Sequence, residues 1–152
     1  MKSGKEGCGC VCDKPAPKFP EQVTGMYILA RSLKMMGVEN VYGLVGIPIT
    51  EAAYIIQGEG IRFVGFRHEQ QAGMAAATDG YVSGKPGVFM TVSSLGFMNG
   101  LTATANATVN CYPVVQISGS SVREPIDLEQ GTYEGLDQLN VAKPVVKAAY
   151  RV

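Results

Sequence analysis

Glu69 stands where a side chain could do chemistry. It lies in Phe66-Arg67-His68-Glu69-Gln70-Gln71-Ala72, between the apolar run Ile61-Arg62-Phe63-Val64-Gly65-Phe66 and the small-residue stretch Ala72-Gly73-Met74-Ala75-Ala76-Ala77. The run reads as a strand and the stretch as a helix. The carboxylate then falls at the carboxyl edge of a parallel sheet, where open α/β proteins bind ligands. Walled by apolar neighbours, an acid there can relay a proton. The structural alternative is an acid in the first helical turn that complements the helix dipole. The local pattern leaves both open.

Two more candidates follow a later strand. Tyr133 and Glu134 lie in a polar segment that would share the edge of Glu69 if it folds back, and loops at such edges often carry function. A solvated Tyr-Glu pair is the alternative. Asn99 opens a predicted helix, where capping is the expected role and ligand contact the second. Other chemistries lack their patterns. Neither G-x-G-x-x-G nor G-x-x-x-x-G-K-[ST] occurs, so no phosphate-cradling loop is read, and Gly43 and Gly46 are too sparse to make one. Ser93 and Ser94 lack the first glycine of a nucleophile elbow. His68, the one histidine, could pair with a serine or Cys111, but its place beside Glu69 makes a triad a stretch. Cys8, Cys10 and Cys12 form C-x-C-x-C with no second cluster, short of a closed zinc site. No metal ligand is assigned. Cys111 reads as a buried or half-buried free thiol.

The elements that would position these groups alternate regularly. A helix is predicted from about Thr24 to Met36, with Ile28, Leu29, Leu33 and Met36 near one face and Gly37 as its stop. Asn40 to Val45 reads as a buried strand and Gly46-Ile47-Pro48-Ile49 as a turn. Thr50 would cap a helix running to about Gln57. The next strand covers 61–66, and the helix after Glu69 runs to about Ser83, before the turn Gly84-Lys85-Pro86-Gly87. Val88 to Val92 is a third strand, Phe97 to Ala107 a helix, and Val114 to Ser118 a fourth strand. Strands of about five residues alternating with helices of about 10–15 predict an α/β fold, a parallel sheet with helices on both faces. The segment after Ser121 is polar and irregular, with a short apolar end.

At 152 residues the chain is one domain, 22–152, preceded by a Cys- and Pro-containing tail over 1–21 that reads as mobile. Lys plus Arg and Asp plus Glu number 13 each, so no field favours nucleic acid or an anionic membrane. No apolar run reaches the ~18–20 residues of a membrane span, and the N-terminus has no signal-like apolar stretch. A cytoplasmic location is expected. Only 17% of residues are charged and 19 are glycine, which hints at surface covered by partners.

The stretches Tyr42-Gly43-Leu44-Val45-Gly46-Ile47-Pro48-Ile49-Thr50, Gly65-Phe66-Arg67-His68-Glu69-Gln70, Gly84-Lys85-Pro86-Gly87-Val88 and Gly96-Phe97-Met98-Asn99-Gly100 together resemble the pyrimidine-binding domain of thiamine-diphosphate enzymes. Asn110-Cys111-Tyr112-Pro113 and Ile117-Ser118-Gly119-Ser120-Ser121 extend the likeness across roughly 22–152. Within that superfamily, Asp127 to Gln138 resembles the oxalyl-CoA decarboxylase family. The related 2-hydroxyacyl-CoA lyases share Val45-Gly46-Ile47-Pro48 but usually carry Phe-Gln in place of Tyr133-Glu134.

The resemblance implies thiamine diphosphate held between two subunits of a dimer or tetramer, with Mg2+ and the diphosphate on a different domain. It implies non-oxidative decarboxylation of a coenzyme A thioester, oxalyl-CoA, to formyl-CoA. Glu69 would hydrogen-bond the pyrimidine ring nitrogen and so activate the cofactor, while Tyr133 and Glu134 would orient substrate or a proton-relaying water. Gly46, Ile47 and Pro48 would wall the pocket, Asn99 would lie near the pyrimidine, and Gly96 would allow close backbone approach. Two departures stand out. Leu95 replaces the family's usual proline, and the chain stops at Val152, before any diphosphate-binding motif. The expectation is a catalytically incomplete N-terminal domain. The alternatives are a 2-hydroxyacyl-CoA lyase domain and a free-standing, non-catalytic pyrimidine-domain subunit.

Overall fold

The computed structural model describes residues 22–121 and 134–152. Its elements are α1 (Gly25–Met35), β1 (Asn40–Gly43), α2 (Thr50–Gly58), β2 (Arg62–Gly65), α3 (Glu69–Ser83), β3 (Gly87–Thr91), α4 (Leu95–Val109), β4 (Val114–Ser118) and α5 (Gln138–Ala142). The four strands pair in parallel in the order β2-β1-β3-β4. The α/β expectation therefore holds, with helices on both faces of the sheet. Among the described residues no helix is long and apolar enough to cross a membrane.

Strand alternation divides the core. Val41, Val88 and Met90 face one way and meet Ala30, Leu33, Ile49, Ala52 and Ile56 of α1, α2 and the turn before α2. Phe89 and Thr91 face the other way, toward Gly73 of α3 and Gly100 of α4. β3 lies between neighbours on both sides and is buried at every residue, which accounts for its continuous apolar run. The apolar end of the chain is also used: Ala142, Val145, Val146 and Ala149 pack on Phe97 and Leu101 of α4.

Local signals set most boundaries. Thr24 caps α1 by accepting a hydrogen bond from the Tyr27 amide at 3.3 Å. Gly84 closes α3 at φ 69°, a left-handed position that suits glycine. Several expectations are corrected. β1 ends at Gly43, level with Gly65 at the end of β2, and does not reach Val45. Thr50 is the first residue of α2 rather than its cap; Ile49 holds the cap position with no side-chain hydrogen bond. In α1, Ile28 and Met36 lie outside the core, while Leu33 and Ala30 are buried and Met26 and Leu29 pack beside them. A rotation of about 100° per residue carries Ile28 off that stripe. Cys111 is exposed, not buried. It takes the left-handed position just past α4, at φ 56°, and the half-buried Tyr112 beside it packs its ring against the exposed Tyr81 ring, with centroids 4.9 Å apart. Residues 1–21, with Cys8, Cys10 and Cys12, lie outside the described residues.

Candidate functional site

β1 connects through α2 to β2 on one side, and β3 connects through α4 to β4 on the other. The sheet thus has a switch point between the carboxyl ends of β1 and β3, the position where such sheets bind ligands. Three loops meet there: 44–49 after β1, 92–94 after β3 and 119–121 after β4. They are in contact. A Cβ placed on Gly46 would lie 2.9 Å from Val92 Cγ1, and one on Gly119 would lie 2.4 Å from Pro48 Cγ. Pro48 follows a cis peptide bond with Ile47, and Ile47 itself projects outward, 82% exposed.

Glu69 arrives from β2. Phe66 extends the strand by one amide, donated to Gly43 O at 2.8 Å. His68 then caps α3, its Nδ1 accepting from the Gln70 amide at 3.2 Å. The histidine is spent on this cap. Cys111, just before β4, belongs to the opposite edge of the sheet, so no His-Cys pair forms.

Glu69 is the first residue of α3 and only 7% exposed. Its Oε2 accepts a hydrogen bond from Asn99 Nδ2 at 3.1 Å. Asn99 is therefore not a cap: the cap position of α4 belongs to Ser94, and Asn99 sits one turn inside, reaching across to α3. Oε1 of Glu69 has no partner among the described residues. No buried side-chain oxygen or nitrogen there lacks a partner, so Oε1 is open to the edge. A Cβ at Gly96 would sit 3.1 Å from Oε1 and 2.3 Å from Val92 Cγ2. The missing side chain at Gly96 keeps the space beside the free carboxylate oxygen clear.

Glu134 folds back to the same edge, as expected. Its carboxylate accepts a hydrogen bond from the buried Ser93 hydroxyl, and its carbonyl accepts from Ser121 Oγ at 3.1 Å. Its backbone is left-handed, φ 55°. Tyr133 lies outside the described residues. Leu95, where a family proline was expected, is the first residue of α4 and is exposed.

Sequence reasoning missed Val92 and Gln138, and gave Ser93 no role beyond a turn at the binding edge. Val92 stands between Gly46 of the 44–49 loop and Gly96 at the start of α4 and so spaces them. Gln138 opens α5 and bonds to two loops at once: its Oε1 accepts from the Ser94 amide at 2.6 Å, and its Nε2 donates to Gly119 O at 2.9 Å. Nothing in local composition marks these residues, since their roles come from loops distant in sequence. Asp137 caps α5 through the Asn140 amide at 3.1 Å. That bond, then the Asn140 side chain, holds the Asp137 carboxyl below its ordinary range.

The arrangement is a buried carboxylate with one oxygen fixed by an amide and one free, beside a bare glycine backbone at a sheet switch point. It suits a polar ring nitrogen presented by a flat ligand. The residues present thus fit an aminopyrimidine. Among the described residues no cluster of three or more His, Cys, Asp or Glu could hold a metal.

Comparison with known proteins bears on which ligand this is. Residues 23–141 match the family model "Thiamine pyrophosphate enzyme, N-terminal TPP binding domain". Oxalyl-CoA decarboxylase of Escherichia coli (strain K12) is 56% identical over 132 residues, which is 87% of this chain and 23% of that protein. The 2-hydroxyacyl-CoA lyase of Arabidopsis thaliana is 42% identical over 128 residues, 84% of this chain and 22% of the lyase. Human 2-hydroxyacyl-CoA lyase 1 is 38% identical over 136 residues, 90% of this chain and 23% of the enzyme. The chain thus spans less than a quarter of each relative. With the family model covering most of its length and a parallel α/β sheet presenting Glu69 at the switch point, this chain belongs to the thiamine pyrophosphate enzymes, as their N-terminal TPP-binding domain.

Proposed function

We propose that residues 22–152 are the pyrimidine-binding domain of an oxalyl-CoA decarboxylase, which takes oxalyl-CoA and a proton to formyl-CoA and CO2. The observation that carries this reading is 56% identity to an oxalyl-CoA decarboxylase, against 42% and 38% for two 2-hydroxyacyl-CoA lyases over similar spans. Thiamine diphosphate, when bound, supplies the electron sink for carbon–carbon cleavage beside a carbonyl. In this reading a second subunit's diphosphate-binding domain holds the phosphates and Mg2+, and the complete enzyme is a homo-oligomer.

The chain's own residues have separable tasks. Glu69 Oε1 would receive the pyrimidine ring nitrogen of the bound cofactor and could hold or return its proton. A carboxylate suits this because the partner is a weakly basic nitrogen in a site that excludes water. Asn99 fixes Oε2 and so directs Oε1 to the ring. Gly96 admits the ring edge. Gly46, Ile47 and Pro48 would form one wall of the pocket. Glu134, anchored by Ser93, and Tyr133 orient the substrate or a water that delivers the final proton.

The test uses the complete polypeptide that carries this domain. Offered oxalyl-CoA and a 2-hydroxyacyl-CoA separately, it should turn over the first; cleavage of the second alone would make it a lyase. Glu69→Gln should lower turnover by roughly 10²–10⁴ and slow exchange of the cofactor's C2 proton. Near-normal exchange in that variant would remove Glu69 from the role. The 152-residue chain alone should not decarboxylate oxalyl-CoA. Co-purification with a partner chain that supplies the diphosphate site would make it instead a separate, non-catalytic subunit.

A further inference from the structure

We propose that Gln138 is a positioning residue that holds the turn at Ser94 in the shape the cofactor needs. The proposal rests on the reading above, in which Glu69 and Gly96 receive the pyrimidine.

Ser94 has φ 50° and ψ −102°, a backbone conformation that costs a residue with a Cβ. Its own side chain makes no capping bond. Its carbonyl starts α4 by accepting from the Met98 amide at 2.9 Å, so the conformation of Ser94 sets where the helix begins and where Gly96 stands. The Ser94 amide, with no acceptor in its own loop, is taken by Gln138 Oε1 at 2.6 Å. The other end of the same amide donates to Gly119 O at 2.9 Å. An N–H needs an acceptor and a carbonyl needs a donor, so the two partners together dictate the orientation of the Gln138 amide.

Each loop that Gln138 holds touches the site. The loop after β3 leads two residues on to Gly96, beside Glu69 Oε1. In the loop after β4, Gly119 packs on the ring of Pro48. Ser118 Oγ adds a third tie, donating to Val92 O at 3.1 Å. Gln138 is itself fixed from behind, because α5 is capped by Asp137 and seated through Ala142 on Phe97 and Leu101 of α4. Losing the Gln138 acceptor would leave Ser94 free to relax toward negative φ, which turns Gly96 away from Glu69.

The experiment uses the complete polypeptide and the variants Gln138→Met, Ser94→Gly and their combination. Amide exchange over residues 92–96 is measured without cofactor, and thiamine diphosphate affinity by calorimetry. Gln138→Met keeps the length of the side chain but loses both hydrogen bonds. It should expose the Ser94 amide to exchange and weaken thiamine diphosphate roughly tenfold. Ser94→Gly, which removes the strain, should recover most of that loss in the combined variant. Equal loss with and without Ser94→Gly would overturn the proposal, as would unchanged affinity with a freely exchanging Ser94 amide. Should Gln138→Met fail to fold, Gln138→Glu keeps the acceptor for Ser94 and should retain protection of that amide; loss of it in a folded protein overturns the proposal. Failure of the underlying reading looks different: the wild-type Ser94 amide is protected, yet the wild-type protein binds no thiamine diphosphate.

Discussion

On one face of the sheet, Leu33, Ile49 and Ile56 press side-chain volume against Val41, Val88 and Met90. On the other, glycine and alanine do the packing. A Cβ on Gly73 would come within 2.5 Å of the Ala103 methyl and 3.0 Å of the Phe89 ring, and one on Gly100 within 2.9 Å of both Phe89 and Thr91. The first face is held by apolar area removed from water. The second is held by backbones in close approach, with a polar network beneath α4: Thr104 Oγ1 donates to Gln116 Oε1 at 2.7 Å, and Gln116 Nε2 donates to Phe97 O at 3.1 Å. Glu69, Gly96 and Asn99 all belong to the second face. Only when α3 and α4 lie this close can Asn99 on one reach Glu69 on the other. The volume-packed face supports the sheet, and the small-residue face brings Asn99 within hydrogen-bond reach of Glu69.

The contrast can be broken by adding volume where there is none to spare. A Cβ at Gly87 would lie 1.8 Å from Ala76 O and 2.6 Å from Ala76 C, both backbone atoms that can yield only if α3 moves. Gly87→Ala should therefore cost more than about 4 kcal/mol, one added methyl acting like a large core defect. Urea unfolding checks it, and a near-neutral result would show that α3 is free to shift.

Removing volume from the other face should do less. Ile56 is fully buried, and Ile56→Ala should cost about 2–5 kcal/mol through lost transfer energy and the cavity left. Thiamine diphosphate affinity, measured where the variant is folded, should stay close to normal, because Glu69, Gly96 and Asn99 lie on the other face.

The smallest effect sharpens the account of the polar network. Thr104→Val keeps the shape but leaves Gln116 Oε1 without its donor, for about 1–3 kcal/mol. Combining it with Gln116→Leu removes both partners and should recover part of that loss. A double-variant cycle in chemical denaturation measures the coupling, and strict additivity would mean that the bond contributes nothing to the α4 face.

Much of the fold was legible because periodicity reports burial. The four strands, the helix from Glu69 to Ser83 and the carboxyl edge that carries the site all follow from apolar runs broken by glycine and serine, while the switch point rests on the strand order. The local pattern favoured capping over ligand contact for Asn99 because its partner, Glu69, lies 30 residues away, and a local rule cannot see across that distance. Cys111 was misread for a related reason: an apolar-looking segment gives no sign of which of two neighbours takes the left-handed position past a helix.

The amino-acid sequence by itself determined the parallel α/β plan, the family, and the placing of an acid at Glu69 where a strand hands over to a helix. These depend on alternation, helix signals and turn residues close along the chain. Tertiary structure alone decided that Oε2 of Glu69 is engaged and Oε1 free, that Val92 stands between Gly46 and Gly96, and that Gln138 ties Ser94 to Gly119. Those outcomes depend on hydrogen bonds and contacts between loops far apart in sequence, whose geometry exists only once the α3 and α4 backbones have closed on the sheet.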